Sequence, residues 1–141
     1  MSEPRKITEA DCAYLAALMD QSAQVKVQIQ NRKGSTYQTL LLKFRGLGDA
    51  TVAWMTERFG PAISFSRSEG SEITFVTRRA AELCVHAFPY LREMKGVARL
   101  VTRFAQSVGQ NNTPVTPEKL AIRAEVAKEL QALERARGGR R

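Results

Sequence analysis

Three features of the 141-residue sequence predict an α+β fold. Apolar residues recur at helical spacing near the start, two pairs of alternating segments follow with a Gly-containing turn inside each pair, and helical spacing returns after each pair. Strands joined by such short turns pair antiparallel, because a parallel crossover needs about a dozen residues or more. The length suits one domain with a short appendage, enough to bury a core and too little for two.

Thr8 is a candidate N-cap for a first helix ending near Asp20, with Ala13, Ala16, Ala17 and Leu18 giving it apolar surface on more than one side. Such a helix needs two partners: its own sheet supplies one, and Ala16 and Ala17 would let a second copy of the helix approach closely. An ordinary buried helix of a monomer carries the same pattern. From Gln24 to Lys33 the period changes to two, with Val25, Val27 and Ile29 facing one way. The turn Lys33-Gly34-Ser35 returns the chain into Thr36 to Arg45, where Gln38, Leu40, Leu42 and Phe44 alternate with Tyr37, Thr39, Leu41, Lys43 and Arg45.

Gly46 and Gly48 break that strand, Asp49 is a candidate cap, and Val52, Met55 and Phe59 share one face of a short helix that Gly60 ends. Trp54 is expected to pack rather than stack on a base. A second hairpin, Ala62 to Ser66 and Glu72 to Val76 around Glu69-Gly70-Ser71, offers Ile63, Phe65, Ile73 and Phe75 to the core. Thr77 starts a helix with the stripe Leu83, Cys84, Ala87 and Phe88. Phe88-Pro89-Tyr90-Leu91-Arg92 ends it, and Val97, Leu100, Val101 and Phe104 mark the next, which closes at Gly109. His86 lies beside a stripe with no acid or Cys at ligand spacing, so a surface or packed role is expected. Residues 109–116 read as a linker. Residues 117–141 form a last helix with the stripe Ile122, Val126, Leu130 and Leu133, packing on the domain or on a partner, and an arginine-rich end: Arg135, Arg137, Arg140 and Arg141.

The formal net charge is +8, the pI is near 10, and most basic residues are Arg, whose fork suits phosphates and guanine edges. Nucleic acid is the natural partner; a membrane surface or a ribosome would also suit the charge alone. The first hairpin has no Asp or Glu between Ser22 and Arg45, so its polar face is glutamines and cations, as a surface pressed on phosphates and base edges would be. A solvated antiparallel sheet shows the same alternation. Cys12 and Cys84 lack metal spacing and imply a reducing compartment. No apolar run approaches the roughly 18 residues that span a bilayer, and the N-terminus lacks a signal-peptide core. A soluble, intracellular protein, cytoplasmic or organellar and without a membrane partner, is expected.

The stretch Tyr14-Leu15-Ala16-Ala17-Leu18-Met19-Asp20-Gln21-Ser22-Ala23, running without a loop into the alternating segment, resembles the LAGLIDADG motif of homing endonucleases. Leu15 and Ala16 match, Ala17 replaces the first Gly, Leu18, Met19 and Asp20 fit, Gln21 takes the small-residue place, and Ala23 replaces the final Gly. Arg58-Phe59-Gly60, Arg79-Ala80-Ala81-Glu82-Leu83 and Pro89-Tyr90-Leu91-Arg92 are similar to the second half of that domain, so the resemblance covers roughly residues 8–108. It implies an αββαββα saddle, here with an extra C-terminal helix. It also implies a homodimer through the motif helix, with Leu15, Ala16, Ala17, Met19 and Asp20 at the interface.

The resemblance places catalysis at two positions that depart from the family. Ser22 stands where the metal-binding carboxylate is expected. Met94 stands where a Lys is expected, with Lys95 one position later. Phosphodiester hydrolysis by this fold needs a carboxylate from each subunit to hold the metal that activates water, and a serine hydroxyl is a poor Mg²⁺ ligand. No catalytic residue, metal site or cofactor is therefore expected, with Mg²⁺ required only if cleavage is retained. Nucleic-acid contacts are expected from Gln24, Lys26, Gln28, Gln30, Arg32 and Lys33, from Tyr37, Thr39, Lys43 and Arg45, and from Ser64, Ser66 and Lys95. Among them Gln28, Gln30 and Arg32 share the parity to read base edges in the major groove, and Lys26, Lys43 and Arg45 lie nearer phosphates. The expected function is duplex-DNA binding as a homodimer with cutting lost or impaired. An RNA-binding module, maturase-like or ribosome-associated, and an active endonuclease are the alternatives.

Overall fold

Thr8 closes a capping box in the computed structural model: its hydroxyl accepts from the Asp11 N–H at 3.1 Å, and the Asp11 carboxylate accepts from the Thr8 N–H at 3.0 Å. From that start helix α1 runs Glu9–Ser22, past the expected end at Asp20, and stops where Ala23 takes extended backbone. The structure describes residues 7–32, 35–60, 62–67, 70–108 and 117–138, and only the backbone of residues 29–32, 35–37, 63–67, 108, 137 and 138. The linker 109–116, Lys33, Arg140 and Arg141 therefore lie outside the described residues, as do the side chains of Gln30, Arg32, Tyr37, Ser64, Ser66 and Arg137.

The chain continues through β1 (Ala23–Arg32), β2 (Ser35–Leu47), α2 (Asp49–Phe59), β3 (Ile63–Arg67), β4 (Gly70–Val76) and α3 (Thr77–Ala87). A single 3₁₀ turn, Phe88–Tyr90, leads into α4 (Lys95–Val108), and α5 spans Pro117–Gly138. The four strands form one antiparallel sheet in the order β1-β2-β4-β3. Residues paired across an antiparallel ladder share a face. Val25 opposite Leu42, Phe44 opposite Ile73 and Leu42 opposite Phe75 thus build one apolar face. Leu15, Met19, Met55, Leu83, Val101 and Phe104 bury their side chains in the same core.

The register breaks between Phe44 and Leu47. Gly46 and Gly70 both have positive φ there, and a Cβ on Gly70 would come within 2.9 Å of the Gly46 Cα, so only glycines let the β4 end lie on the bulged strand.

Two expectations change, and the choice for the last helix is decided. The N-cap of α2 is Gly48, and Asp49 instead accepts from the Ser71 hydroxyl at 3.0 Å, tying α2 to β4. In the second hairpin Ser64, not Ile63 or Phe65, is paired with the core residue Ile73; Ile63 pairs with Thr74 and Phe65 with Glu72, a register one residue out of phase with the alternation read from the sequence. The last helix packs on the domain itself. Val126 and Leu130 enter the core, and the nearly buried Arg123 donates from Nη2 to the Ser107 carbonyl at 3.1 Å and from Nε to the Ser107 hydroxyl at 3.3 Å, joining α5 to the end of α4. Among the described residues no helix is long and apolar enough to cross a membrane.

Candidate nucleic-acid interface

The sheet face away from the helices is built by alternation. On β1, Lys26 and Gln28 are exposed and Gln24 half-buried, alternating with buried Val25 and half-buried Val27. Opposite them on β2 stand Leu41, Thr39 and Lys43 respectively. The backbone continues the same register outward, pairing Gln30 with Tyr37 and Arg32 with Ser35. The sequence-selected residues of β1 and β2 thus occupy one ladder, although the side chains beyond Gln28 lie outside the described set. Ser64 and Ser66 pair with Ile73 and Ser71, so their register positions belong to the helix-side face rather than to this one.

One residue of this face was not picked out from the sequence. Glu72 of β4 lies between the cations, its carboxylate 3.9 Å from Lys43 Nζ and 3.8 Å from Arg45 Nε, with only 7% of its side chain exposed. Arg45 keeps 58% of its side chain exposed. The acid-free hairpin is therefore complemented by an acid from the neighbouring strand. The alternation of Glu72, Thr74 and Val76 against Ile73 and Phe75 was the available signal.

At the junction of α1 and β1 the carboxylate of Asp20 is an acceptor for three backbone N–H groups across the chain: Arg92 at 2.9 Å on one oxygen, and Glu93 at 3.1 Å and Met94 at 3.0 Å on the other. It fastens the end of α1 to the three residues that lead into α4. Ser22, half-buried, is the last residue of α1. Met94 is fully buried in the core, so the place compared with a family lysine holds a packing residue. Lys95 is exposed, with Nζ 5.7 Å from the centre of the Phe88 ring.

The motif helix divides its surface differently from the expectation. Leu15, Ala16 and Met19, expected at a subunit interface, are buried within the chain itself. Ala17 is exposed, on a stripe with Ala10, Ala13 and Gln21, and Asp20 is half-buried. A groove of about 680 Å³ runs beside this stripe, walled by Ala13, Ala17 and Gln21 on one side and by Pro89, Tyr90 and Arg92 on the other.

A divalent metal of nuclease chemistry does not fit the residues here. The position that the resemblance gives to a carboxylate holds Ser22, whose hydroxyl is a poor ligand, and both oxygens of Asp20, two residues earlier, accept backbone N–H groups. Among the described residues no group of three or more His, Cys, Asp and Glu is arranged to hold a metal ion. His86 packs beside Phe59, ring centroids 6.1 Å apart, and Trp54 packs between Tyr14 and Phe59. Burial pushes the Cys84 thiol up to about 12, which keeps it protonated and unreactive.

No protein-family model matches the sequence, and no curated protein does. Solved structures match across most of the chain. The homing endonuclease I-CvuI in complex with the I-CreI target superposes with a TM-score of 0.72 at 18% identity, over 89% of this chain and 82% of that one. The archaeal intron-encoded homing endonuclease I-Vdi141I complexed with DNA gives 0.74 at 9% identity, over 89% and 84%. The I-LtrWI LAGLIDADG homing endonuclease bound to target DNA gives 0.65 at 14% identity, over 92% of this chain but 46% of its own. The fold is that of the LAGLIDADG homing endonucleases. Ser22 ends the helix that leads into the sheet face carrying Lys26, Gln28 and Lys43.

Proposed function

We propose that the protein is a duplex-DNA-binding homodimer that has the endonuclease fold without its hydrolytic chemistry. The observation that carries this reading is the pairing of a glutamine- and cation-bearing sheet face with Ser22 at the end of the motif helix. Gln28, Gln30 and Arg32 are assigned to base edges, and Lys26, Lys43 and Arg45, the last two set beside Glu72, to phosphates. A β-ribbon of this width enters the major groove. The homodimer reading rests on the exposed stripe Ala10, Ala13 and Ala17.

Selection of the purified protein on randomised duplexes tests binding. A motif is expected that relaxes at one or two positions in Gln28→Ala, with a loss of about 1–3 kcal/mol on the preferred site. Replacing Lys43 by Ala is expected to weaken all duplexes alike and to flatten the salt dependence by about one unit. Enrichment of no duplex motif, with retention of RNA instead, overturns the DNA reading. The same duplexes incubated with Mg²⁺ or Mn²⁺ are expected to stay intact. Specific double-strand breaks by the unmodified protein that a Ser22→Ala variant does not make would show that hydrolysis survives.

A further inference from the structure

On the helical side of the molecule, α3 and α4 enclose a groove of about 500 Å³ that the sheet-face reading does not use. Its floor is apolar: Cys84 is buried, Phe88 is half-buried, and Val85 stands 62% exposed, an apolar side chain left in water on a folded surface. Its α4 wall is cationic, formed by Arg99 and Arg103 one helical turn apart, and no Asp or Glu lines it. The Arg103 guanidinium pairs with the Glu125 carboxylate on α5 at 3.6 Å and stays about half exposed, and Arg99, one turn earlier, carries the rest of the wall's charge. The Phe88 ring is covered by Lys95 at 5.7 Å and Arg99 at 5.3 Å, so it presents no open platform on which a base would stack.

We infer that the α3–α4 groove docks an amphipathic acidic segment of a partner protein, its apolar side chains seated on Val85 and its flanking carboxylates on Arg99 and Arg103. A seam between two helices accepts a third helix whose apolar residues recur at three- and four-residue spacing, and the groove has room for a few such side chains. Charge selects among such helices: a basic one would bring like charges against the α4 wall. The docking does not depend on what the sheet binds.

The test is panning of displayed random peptides of about 16 residues against the full-length protein, with duplex DNA in excess to occupy the other face, followed by titration of the enriched peptides. Enriched sequences are expected to alternate Leu, Ile or Phe at helical spacing with Asp or Glu. Their affinity is expected to fall about tenfold in Val85→Glu and again in Arg99→Glu, while both variants keep the wild-type melting temperature and duplex binding. Val85→Ala, which removes contact without adding charge, is expected to weaken binding less than Val85→Glu does. Enrichment of basic peptides, of none, or of peptides indifferent to Val85→Glu overturns the inference. So does an Arg99→Glu variant that loses nucleic-acid binding instead of peptide binding.

Discussion

Asp20 and Met94 show how a short motif conceals two different duties. Asp20 fits the motif as a letter, yet its carboxylate is occupied by the N–H groups of Arg92, Glu93 and Met94, which makes it a clasp between α1 and α4. Met94 occupies a place that the family comparison gave to a lysine and is fully buried. A charge there has no partner, so Met94→Lys is expected to lose about 3 kcal/mol or more of stability in a denaturant titration, and not to rebuild an active site. Asp11 is held below its ordinary pKa first by the Thr8 backbone N–H, with further lowering from the Thr8 hydroxyl and from Arg58, against a smaller opposing effect of burial. Because its folded pKa is depressed, its stabilisation is complete above the unfolded value of about 4 and disappears as the pH falls through the folded one. Asp11→Asn is expected to flatten the dependence of the melting temperature on pH in that acid range and to leave its slope near neutrality unchanged.

At the scale of elements, α1 separates two alanines that are adjacent in sequence. Ala16 is 1% exposed and Ala17 faces solvent. Ala17→Trp is expected to convert dimer to folded monomer in sedimentation, whereas Ala16→Trp overpacks the core and lowers stability by about 1–3 kcal/mol, whatever the protein concentration. An Ala17→Trp protein that sediments as a dimer would remove α1 from the interface. The sheet carries a second element-scale consequence, since Glu72 of β4 draws Lys43 and Arg45 of β2 toward itself. Removing its charge frees both cations and takes a negative charge from the face proposed to meet phosphates. Glu72→Gln is therefore expected to tighten binding to every duplex and to steepen its salt dependence, read by titration at two salt concentrations. Weaker or unchanged binding would show that Glu72 does not oppose a phosphate-facing surface.

For the molecule as a whole, α5 closes the core rather than trailing from it. Val126 and Leu130 are buried and Arg123 is anchored on Ser107, where burial lowers its pKa. Leu133 of α5 lies over Gly96 of α4, where an added Cβ would meet its Cδ1 at an ordinary contact distance of 3.6 Å. Deleting residues 117–141 is expected to expose apolar surface of α4, lower the melting temperature by several degrees and increase binding of a hydrophobic dye. A truncated chain that melts as the full one does would make α5 an appendage. The saddle face and the α3–α4 groove lie on different layers, so duplex binding and peptide docking are expected to be additive when measured together.

The alternation of Val25 and Val27 with Lys26 and Gln28, the capping pair Thr8 and Asp11, and the Gly-marked turns determine the order of helices and hairpins without help from the tertiary structure, because each is a local pattern with a local cause. The charge balance and the substitution of Ser22 are likewise complete in the sequence. Packing decided the rest. Which alanine of α1 is exposed depends on how the helix rotates on its sheet, and an all-round apolar helix does not encode that rotation. The phase of β3 is set by its ladder with β4, so the pairing of Ser64 with Ile73 emerges only when the strands meet. Glu72 joins Lys43 and Arg45, and Asp20 joins Met94, across 72 and more intervening positions in the latter case. Contacts between side chains so distant along the chain are made by the fold, which alone brings their elements together.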